Sequence, residues 1–549
     1  MAKPNRYTPE MIEKYTTEGY WGPRTFSDLW DQSAMDYPNK EAVVDSKTRL
    51  TWGQAKQWID RLALGLLDQG LKKDQMLVVQ LPNSVELCLL RIACEKAGLL
   101  FMPVLRTFRR REMEYILSHV EATGVVIPWQ FRDFDYFEMI KEIRTSLPGL
   151  KYVFLVGDEV PGGTLSIKAM TERPLEEKYP SSYLEGTKTK ATEFSLVVPT
   201  TGSTGLPKFV EIPSCSHIFS GKYFVKAYQI TGSDIVAVLA PAALGPNIIA
   251  YCCVPWVGAK MVMMEHFEPE EALKLIERER VTIAGVVPAQ LVMTARHPNL
   301  KEYDISSLRF IRVTGAPLAY QVAVEAEENI GCPIIQGYGA VDFGTGSTSI
   351  LGDPRGVRLL TVGEPLPGCE VKLADDEGNE VPRGEVGEIM LAGPVGVSGY
   401  YRDPDTTWEV WTRDGWYRTG DRGKLDDRGK LVILGRQKDM IIRGGQNIYP
   451  AEIENLLISH PRVSGAAVVG MPDPVMGERA CAYVAPKENQ MFTFDEMISF
   501  LKQKSIAPYK LPERLELVDS IPMVGADQKV DKKVLKQDIS EKLKAEGKI

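Results

Sequence analysis

A stretch rich in glycine and hydroxyl residues, at positions 199–208, is the part of the chain best suited to bind an anion. It follows an apolar run, 195–198, that predicts a short buried strand. Glycines let the backbone approach an anion closely, and hydroxyl, amide and ammonium groups donate hydrogen bonds to phosphate oxygens. The lack of a Gly-Lys-Ser/Thr triplet excludes a Walker loop. We therefore predict a phosphate-binding loop that consists of Thr200, Thr201, Gly202, Ser203, Thr204, Gly205 and Lys208.

Two further glycine-containing segments follow predicted strands. Gly315-Ala316-Pro317 comes after the apolar run 310–314, and Gln336-Gly337-Tyr338-Gly339 comes after 333–335. In α/β proteins, ligands bind where strands run into loops. Each segment alone is as compatible with a plain turn as with a binding site. Their order after the phosphate-binding loop favours a common site.

Two segments in the second half of the chain combine charge with turn-forming residues. Residues 416–421 read Trp-Tyr-Arg-Thr-Gly-Asp and end in Asp421, which we expect on a short loop. A carboxylate there can accept hydrogen bonds from two neighbouring hydroxyls, as in a ribose. The polar stretch 435–439 follows with Arg436 and Lys438. A tight-turn aspartate and a solvated linker are the alternative interpretations.

Two segments near the end of the chain are also candidates. Residues 443–454 begin with Arg443-Gly444-Gly445 and run into a predicted helix, so the glycines leave room for a ligand beside the backbone. Residues 528–536 contain Lys529 among several other lysines. A glycine turn ahead of a helix and an exposed basic helix are the alternatives.

Together and in this order, the motifs resemble those of the adenylate-forming superfamily, which includes acyl-CoA synthetases, aryl-acid AMP ligases, luciferases and nonribosomal adenylation domains. The resemblance covers roughly residues 25–540. It implies that the acid is first joined to AMP, with release of pyrophosphate, and then transferred to a thiol. The cofactors implied are ATP, Mg²⁺ and coenzyme A.

The resemblance also implies a role for each motif. Tyr338 is expected to stack on adenine, Asp421 to accept the ribose hydroxyls, and Arg436 to contact ribose or phosphate. Lys529 and Lys208 are the expected catalytic lysines. The expected hinge is Lys438, and the thioester-forming loop is Arg443, Gly444 and Gly445. The remaining members of the expected nucleotide site are Gly315, Ala316, Pro317, Gln336, Gly337, Gly339 and Val341.

The chain departs from the family pattern at two places. The family usually follows the aromatic-Gly pair with a hydrophobe, Thr and Glu, whereas this chain has Ala340-Val341-Asp342. Val341 lacks the hydroxyl, and Asp342 keeps a carboxylate for Mg²⁺ that is one methylene shorter. A turn residue is the alternative for Asp342. In addition, Gln528 replaces the glycine that usually precedes the catalytic lysine.

The acid-binding pocket is predicted from the apolar stretch 239–246. Dihydroxybenzoate-type ligases share a His-Asn pair at the corresponding position of this stretch, and we align Leu239 and Ala240 with that pair. Unpaired buried polar groups are costly, so such a site favours an apolar acid. We expect an unsubstituted aromatic or alicyclic carboxylate. The predicted pocket residues are Leu239, Ala240, Ala243, Leu244, Gly245, Gly315, Gly339 and Ala340.

The composition is that of a globular enzyme of more than one domain. The chain has 549 residues, of which 44% are hydrophobic and 25% charged, and its net charge is −8. This charge gives no general attraction to nucleic acid or anionic membrane. The eight cysteines show no metal-binding spacing, and we assign no role to the five histidines. With no signal peptide and no apolar run long enough to span a bilayer, we expect a cytoplasmic protein without membrane insertion.

The apolar periodicity predicts alternating strands and helices. Thr51 and Gln54 form a capping box for a helix whose apolar face includes Ala55, Trp58, Ile59, Leu62 and Leu66, and Gly70 ends it. Positions 158–190 are polar and are expected to be surface loops. Further helices are expected at 84–97, 109–120, 269–279, 451–459 and 494–503, and strands at 76–80, 124–127, 152–156, 281–287, 310–314, 466–469 and 481–484.

We predict an α/β fold. A large N-terminal domain, 1–435, contains two packed α/β subdomains and a β-rich subdomain, and a small mobile α+β C-terminal domain comprises 436–549. The first hypothesis for function is an AMP-forming acid–CoA ligase with a small carboxylate, ATP and coenzyme A as partners. The alternatives are a stand-alone aryl-acid AMP ligase that loads a carrier protein, and a degenerate nucleotide-binding protein. A homodimer is one state that the sequence leaves open.

Overall fold

The computed structural model describes residues 6–157, 159–180, 182–200, 207–241, 245–444, 446–504, 506–524 and 529–548. The helices are α1 Pro9–Thr17, α2 Phe26–Asp36, α3 Trp52–Asp68, α4 Val85–Ala97, α5 Arg110–His119, α6 Tyr136–Arg144, α7 Ile167–Glu172, α8 Tyr183–Thr187, α9 Ser214–Ala227, α10 Ile248–Val257, α11 Pro269–Glu279, α12 Pro288–Ala295, α13 Tyr320–Ile330, α14 Arg355–Leu360, α15 Pro404–Val410, α16 Pro450–Ile458, α17 Phe494–Gln503 and α18 Lys532–Ala545.

Strands occur along the whole chain and alternate with helices in its first two thirds. They are β1 Glu41–Val44, β2 Arg49–Thr51, β3 Met76–Val79, β4 Leu100–Pro103, β5 Gly124–Pro128, β6 Gln130–Phe131, β7 Phe134–Asp135, β8 Tyr152–Val156, β9 Leu165–Ser166, β10 Phe194–Pro199, β11 Phe209–Pro213, β12 Ile235–Val238, β13 Lys260–Met263, β14 Ile283–Val286, β15 Phe310–Val313, β16 Ile334–Ala340, β17 Gly344–Thr348, β18 Glu364–Pro365, β19 Glu370–Ala374, β20 Gly387–Ala392, β21 Gly399–Tyr400, β22 Tyr417–Leu425, β23 Leu431–Arg436, β24 Ile441–Arg443, β25 Gln446–Ile448, β26 Val463–Asp473, β27 Gly477–Pro486, β28 Arg514–Leu517, β29 Met523–Val524 and β30 Lys529–Val530.

Two large sheets with parallel centres form the main layers of the N-terminal part. One has the order β18-β17-β16-β15-β14-β12-β13-β1-β2, and the other β21-β11-β10-β4-β3-β5-β8-β9. Their central strands pair in parallel, for example Ala284 with Ile311 and Val78 with Met102. Parallel strands are covered by helices on both faces, which explains their continuous apolar runs. The predicted pair of α/β subdomains is confirmed.

Two smaller sheets complete the described structure. The antiparallel sheet β19-β20-β22-β23 is the predicted β-rich piece, and the order β25-β24-β27-β26, with β28 beside β27, forms the centre of the C-terminal part. Helices α16, α17 and α18 accompany the latter sheet, so a small α+β unit follows the large α/β part. The boundary between residues 435 and 436 remains a prediction.

Local signals in the sequence account for the position of α3. The side chains of Thr51 and Gln54 form the predicted capping box, and Gly70 adopts a φ of 97° just after the helix. Ala55, Ile59, Leu62 and Leu66 are buried as predicted, while Trp58 is half-buried.

The segment 158–190 differs from the prediction of surface loops. It contains β9, α7 and α8, because a few apolar residues in this polar stretch pack against α3. Ile167 and Met170 are buried, and a Cβ atom added to Gly65 in α3 would lie 3.2 Å from Met170. The short helix α7 therefore depends on the small residue at position 65.

The structure adds an observation on the cysteines and one on the helices. Seven of the eight cysteines are buried, Cys369 is half-buried, and none of the eight is paired. Among the helices in the described ranges, none combines the length and apolarity needed to cross a bilayer.

A buried carboxylate at the end of α11 makes a testable contribution to stability. Glu279 accepts hydrogen bonds from Arg49 at 2.9 Å and Lys260 at 2.8 Å, and these partners, Arg49 first, lower its pKa to about 2. The folded state therefore favours the ionised carboxylate. Its contribution is fully present above the ordinary pKa of 4.5 and is lost as the pH falls towards 2.

We expect Glu279→Gln to lower the free energy of unfolding by about 1–3 kcal/mol near neutral pH, since charged hydrogen bonds are lost. Denaturant unfolding followed from neutral to acidic pH should show the two proteins converging as the pH falls. The control is Glu271→Gln, which removes an exposed ion pair with Lys274 and should change stability by less than about 0.5 kcal/mol. If the difference in unfolding free energy between Glu279→Gln and the unmodified protein grew as the pH falls, the stabilising role assigned to the Glu279 carboxylate would be contradicted.

Candidate active site

A cleft of about 2180 Å³ opens where strands of the N-terminal part end and the C-terminal part begins. Its walls include Lys208 after the loop between β10 and β11, Gly315 after β15, and Asp421 in β22. Lys438 and Lys529 also line it. Segments far apart in the sequence thus meet at one site, at the strand ends where α/β proteins bind ligands.

Two hydrogen bonds between Thr200 and Lys208 join the two ends of the predicted phosphate-binding loop. The Thr200 N–H donates to the Lys208 carbonyl at 2.8 Å, and the Lys208 N–H donates to Thr200 Oγ1 at 3.1 Å. The Lys208 ammonium lies 5.1 Å from the centre of the Tyr400 ring, a cation–π contact. The predicted members Thr201, Gly202, Ser203, Thr204 and Gly205 lie outside the described residues.

The two glycine-containing segments both line the cleft, but only one is a loop. Gly315, Ala316 and Pro317 follow β15 as predicted, and Gly315 has a φ of 98°. Gln336 to Gly339, in contrast, belong to β16, because this strand continues and pairs antiparallel with β17. A Cβ atom at Gly339 would lie 1.9 Å from the Gly344 carbonyl oxygen, so the pairing requires glycine there.

Three predicted nucleotide-binding side chains form one hydrogen-bonded group. The Tyr338 hydroxyl donates to Asp421 Oδ2 at 2.6 Å, and Arg436 Nε lies 2.8 Å from Asp421 Oδ1. Asp421 is in β22 and not on a short loop, because Asp421 and Arg436 face each other across the β22–β23 pair. Burial raises the pKa of the Asp421 carboxyl, and the charge of Arg436 opposes this rise.

The roles of the ring and the hydroxyl of Tyr338 can be separated by substitution. Tyr338→Phe removes only the bond to Asp421 and should reduce kcat/KM for ATP about twofold to tenfold. Tyr338→Ala also removes the expected stacking surface, worth about 1–3 kcal/mol, and should reduce it roughly 5- to 150-fold. ATP–pyrophosphate exchange measures both. Equal losses in the two variants would show that the ring does not stack on adenine.

Asp342 occupies the turn after β16 and its carboxylate is half-buried. The Tyr400 hydroxyl donates a hydrogen bond to it, and Lys208 and Arg436 are close enough to favour its ionised form. Burial nevertheless raises the pKa of Asp342. No cluster of three potential metal-ligating residues occurs in the part of the chain that the structure describes.

Tyr400 was not identified from the sequence. It reaches the site because β21 pairs with β11, where Val210 lies opposite Tyr400. This pairing joins residues nearly two hundred positions apart, and its only trace in the sequence is a Gly-Tyr-Tyr segment without a distinctive pattern. Tyr400 therefore connects Lys208, through its ring, with Asp342, through its hydroxyl.

The C-terminal part contributes predicted lysines to the cleft, whereas two residues of the predicted thioester-forming loop do not line it. Lys529 in β30 and Lys438 line the cleft, and the charge of Lys529 acts on Asp421. Arg443 instead binds Glu513, with Nη2 and Oε1 2.7 Å apart, and Gly444 donates its N–H to the Met476 carbonyl. The structure thus brings Lys529, and not Arg443 or Gly444, to the cleft; Gly445 lies outside the described residues.

Four of the predicted acid-binding residues line the cleft, and their role stays a prediction. They are Gly245, Gly315, Gly339 and Ala340. Leu239 and Ala240 do not contribute to its described walls.

Packing explains why Leu239 and Ala240 do not line the cleft. Leu239 is buried in the core of the first sheet, and its carbonyl accepts a hydrogen bond from Gln290. The carbonyl of Ala240 accepts hydrogen bonds from Asn83 and Asn247. Ala243 and Leu244 lie outside the described residues.

The inner end of the cleft is lined by side chains that the sequence analysis did not select. They come from α2, α4, α9 and α10, and they include His217, which had been assigned no role. The sequence signal was weak, because these helices are apolar on more than one side and a single histidine or arginine within them has no distinctive spacing.

Comparison with known proteins agrees with this geometry. Residues 30–401 match the AMP-binding enzyme family and residues 452–527 the AMP-binding enzyme C-terminal domain. The chain is 32% identical over 548 residues to the 2,3-dihydroxybenzoate-AMP ligase of Bacillus subtilis (strain 168), with 98% of each chain covered. It is 32% identical over 540 residues to a salicylyl-CoA synthase / salicylate adenylyltransferase of Streptomyces sp, with 96% of each covered.

A solved structure supports the same conclusion. The amide bond synthetase McbA from Marinactinospora thermotolerans superposes with a TM-score of 0.83 at 27% identity, over 94% of this chain and 100% of the other. Fold and cleft therefore define an adenylate-forming ligase. The chain belongs to the AMP-binding enzyme family.

Proposed function

We propose that this enzyme is an AMP-forming acid–CoA ligase that activates an aromatic or alicyclic carboxylate with MgATP and transfers the acyl group to coenzyme A. The observation that carries the proposal is that Lys208 and Lys529 line the same cleft as the group formed by Tyr338, Asp421 and Arg436.

In the first step, a carboxylate oxygen of the acid attacks the α-phosphorus of ATP, a P–O bond forms, and pyrophosphate leaves with the electrons of the broken bond. Both reactants are anions, so the transition state needs nearby cations. Lys208 and Lys529 supply them. Tyr338 holds the adenine, and Asp421 and Arg436 hold the ribose.

The site fits a magnesium ion that is bound mainly by the nucleotide. Mg²⁺ typically takes one or two protein carboxylates and completes its octahedron with phosphate oxygens and water. Asp342 supplies one half-buried carboxylate near Lys208, and the Tyr400 hydroxyl fixes its orientation. When bound, the ion neutralises phosphate charge.

In the second step, the thiol of coenzyme A attacks the acyl carbon of the adenylate, loses its proton, and AMP leaves. We propose that the C-terminal part rotates about Lys438 between the steps, which would withdraw Lys529 and bring Gly444 and Gly445 to the cleft. One cleft can then serve two different geometries. The position of Lys529 in the cleft corresponds to the first step.

A second candidate function differs only in the thiol acceptor. The enzyme would then be a stand-alone aryl-acid AMP ligase that loads the phosphopantetheine of a carrier protein. The relative from Bacillus subtilis is named as an AMP ligase, which favours the carrier-protein hypothesis. The relative from Streptomyces is named as a CoA synthase, which favours the CoA-ligase hypothesis. Both relatives are named for ring acids, which supports the proposed substrate class.

Mass spectrometry of reactions with MgATP, coenzyme A and a panel of acids tests the proposal. The panel contains benzoate, hydroxybenzoates, cyclohexane- and cyclohexenecarboxylate, and fatty acids of several lengths. We expect AMP and a CoA thioester from a ring acid. Acyl-AMP without a thioester would favour the carrier-protein ligase, and no AMP from any acid would refute adenylation by this site.

A further inference from the structure

The cleft continues beyond the expected reacting centre into an inner chamber between α2, α4, α9 and α10. Its walls are mainly apolar and include Trp30, Leu87, Leu196, Ile212 and Cys252. Ligand sites are typically apolar cavities with a few well-placed polar groups. The polar groups of this chamber therefore indicate what it binds.

Two polar side chains in the chamber have buried atoms without hydrogen-bond partners within the described residues. They are the two terminal nitrogens of Arg91 and the hydroxyl of Tyr251, and the half-buried imidazole of His217 lies beside Arg91. Arg91 and His217 both lie against the ring of Phe26, with the Arg91 Cζ atom 5.5 Å and the His217 ring 6.3 Å from its centre. Unmet polar groups are costly inside a protein, so a ligand that accepts hydrogen bonds would relieve them.

The charge of Arg91 is already balanced by a carboxylate, although its terminal N–H groups donate no hydrogen bond within the described residues. Arg91 Nη1 lies 3.6 Å from Glu95 Oε2, which is an ion pair without a hydrogen bond. Glu95 is fully buried and accepts hydrogen bonds from the Ser27 N–H and from the hydroxyls of Ser195 and Ser214. A ligand carboxylate would thus add an unbalanced negative charge to the chamber.

His217 is expected to be neutral in this environment. Burial, together with the nearby charge of Arg91, lowers its pKa to about 3. A neutral imidazole has one N–H donor and one acceptor, so it can donate to a ligand oxygen without adding charge. Arg91, Tyr251 and His217 can all donate, and none of them requires an anion.

We infer that the inner chamber binds the remote end of the acid, and that the acid carries a neutral oxygen acceptor there, a carbonyl or a hydroxyl. This inference rests on the proposed function and refines its substrate class. The acid would be a ring carboxylate with an oxygen-bearing arm, in place of the unsubstituted ring acid expected from the sequence.

The test uses the full-length enzyme and benzoates with para arms of two to five carbons. For each length, the arm ends as a plain alkyl group, as a methyl ketone of the same size, or as the carboxylic acid of the same size. ATP–pyrophosphate exchange gives kcat/KM, and calorimetry without ATP gives the affinity of the enzyme for each acid. At the best length we expect the ketone to exceed the alkyl acid about tenfold in both measurements.

Substitutions connect that preference to the chamber. Tyr251→Phe and His217→Phe should each reduce the ratio of ketone to alkyl acid roughly threefold to tenfold. Tyr223→Phe, which removes a tyrosine hydroxyl on α9 outside the described walls of the cleft, is the matched control and should leave the ratio unchanged. These variants keep the Arg91–Glu95 pair, so folding is preserved.

The outcomes separate the inference from the proposed function. Adenylation of benzoates without preference for the ketone at any length, or preference for the acidic arm, would overturn the inference and leave the proposed function standing. Tighter binding of the ketone without AMP from any acid would support the chamber and overturn the proposed function. A ratio unchanged in both Tyr251→Phe and His217→Phe would also overturn the inference.

Discussion

Replacing Lys529 by alanine should slow formation of the acyl adenylate about 10²- to 10³-fold, the usual effect of removing one group that stabilises transition-state charge. Lys529 reaches the cleft from β30 and acts on Asp421, so we expect its ammonium to lie where the charge of the two reacting anions develops. ATP–pyrophosphate exchange measures this step. Transfer from a supplied acyl adenylate to coenzyme A should be nearly unchanged, because we assign Lys529 to the first step alone.

The control for this prediction is Lys533→Ala. Lys533 also lines the cleft and is the second residue of α18, so this variant removes a similar charge from a neighbouring position. We expect a change of less than about threefold, since exposed charges interact weakly. If both variants lost exchange equally, a general basic surface would explain the effect, and the role of Lys529 would be wrong. Loss of both half-reactions in Lys529→Ala would also contradict the assignment.

Replacing Asp421 by asparagine should reduce kcat/KM for ATP roughly 10²- to 10³-fold. The carboxylate is expected to accept both ribose hydroxyls, and charged hydrogen bonds contribute about 1.5–3 kcal/mol each. Asparagine has the same shape, but it has one acceptor oxygen and places an amide against either Arg436 or Tyr338. The loss should appear mainly as a raised KM for ATP, with the KM for the acid little changed.

Thermal unfolding separates a binding defect from misfolding in the Asp421→Asn protein. The matched control is Asp427→Asn, at an exposed turn position between β22 and β23 that is remote from the cleft, and it should behave as the unmodified enzyme. An Asp421→Asn protein with a normal KM for ATP would show that the Asp421 carboxylate is held by Tyr338 and Arg436 for structure and does not contact ribose.

The sequence by itself determined the elements whose signals are local. Helix α11 occupies Pro269–Glu279 and helix α17 Phe494–Gln503, as predicted, because apolar periodicity and end residues act within one segment. The buried parallel strands were also predicted, since continuous apolar runs between helices have few other solutions. The order of the motifs was sufficient to predict the family, because each motif is a short contiguous segment.

The tertiary structure decided several features that depend on strand pairing. Gln336 to Gly339 and Asp421 are in strands because β17 and β23, which follow closely in the chain, pair with them, whereas the glycines in these segments had favoured loops. The backbone carbonyls of Leu239 and Ala240 accept hydrogen bonds from the amide side chains of Gln290 and Asn83, which are distant in the sequence.

Tyr400 and the inner chamber show the same dependence on tertiary structure. Tyr400 reaches Asp342 through the pairing of β21 with β11, and Arg91 and His217 meet at Phe26 although they lie on helices far apart in the chain. A side chain's neighbours across a sheet or between helices follow from packing of the whole domain. Local sequence therefore predicted the family of this protein, whereas the walls of its cleft were set by contacts that no local pattern encodes.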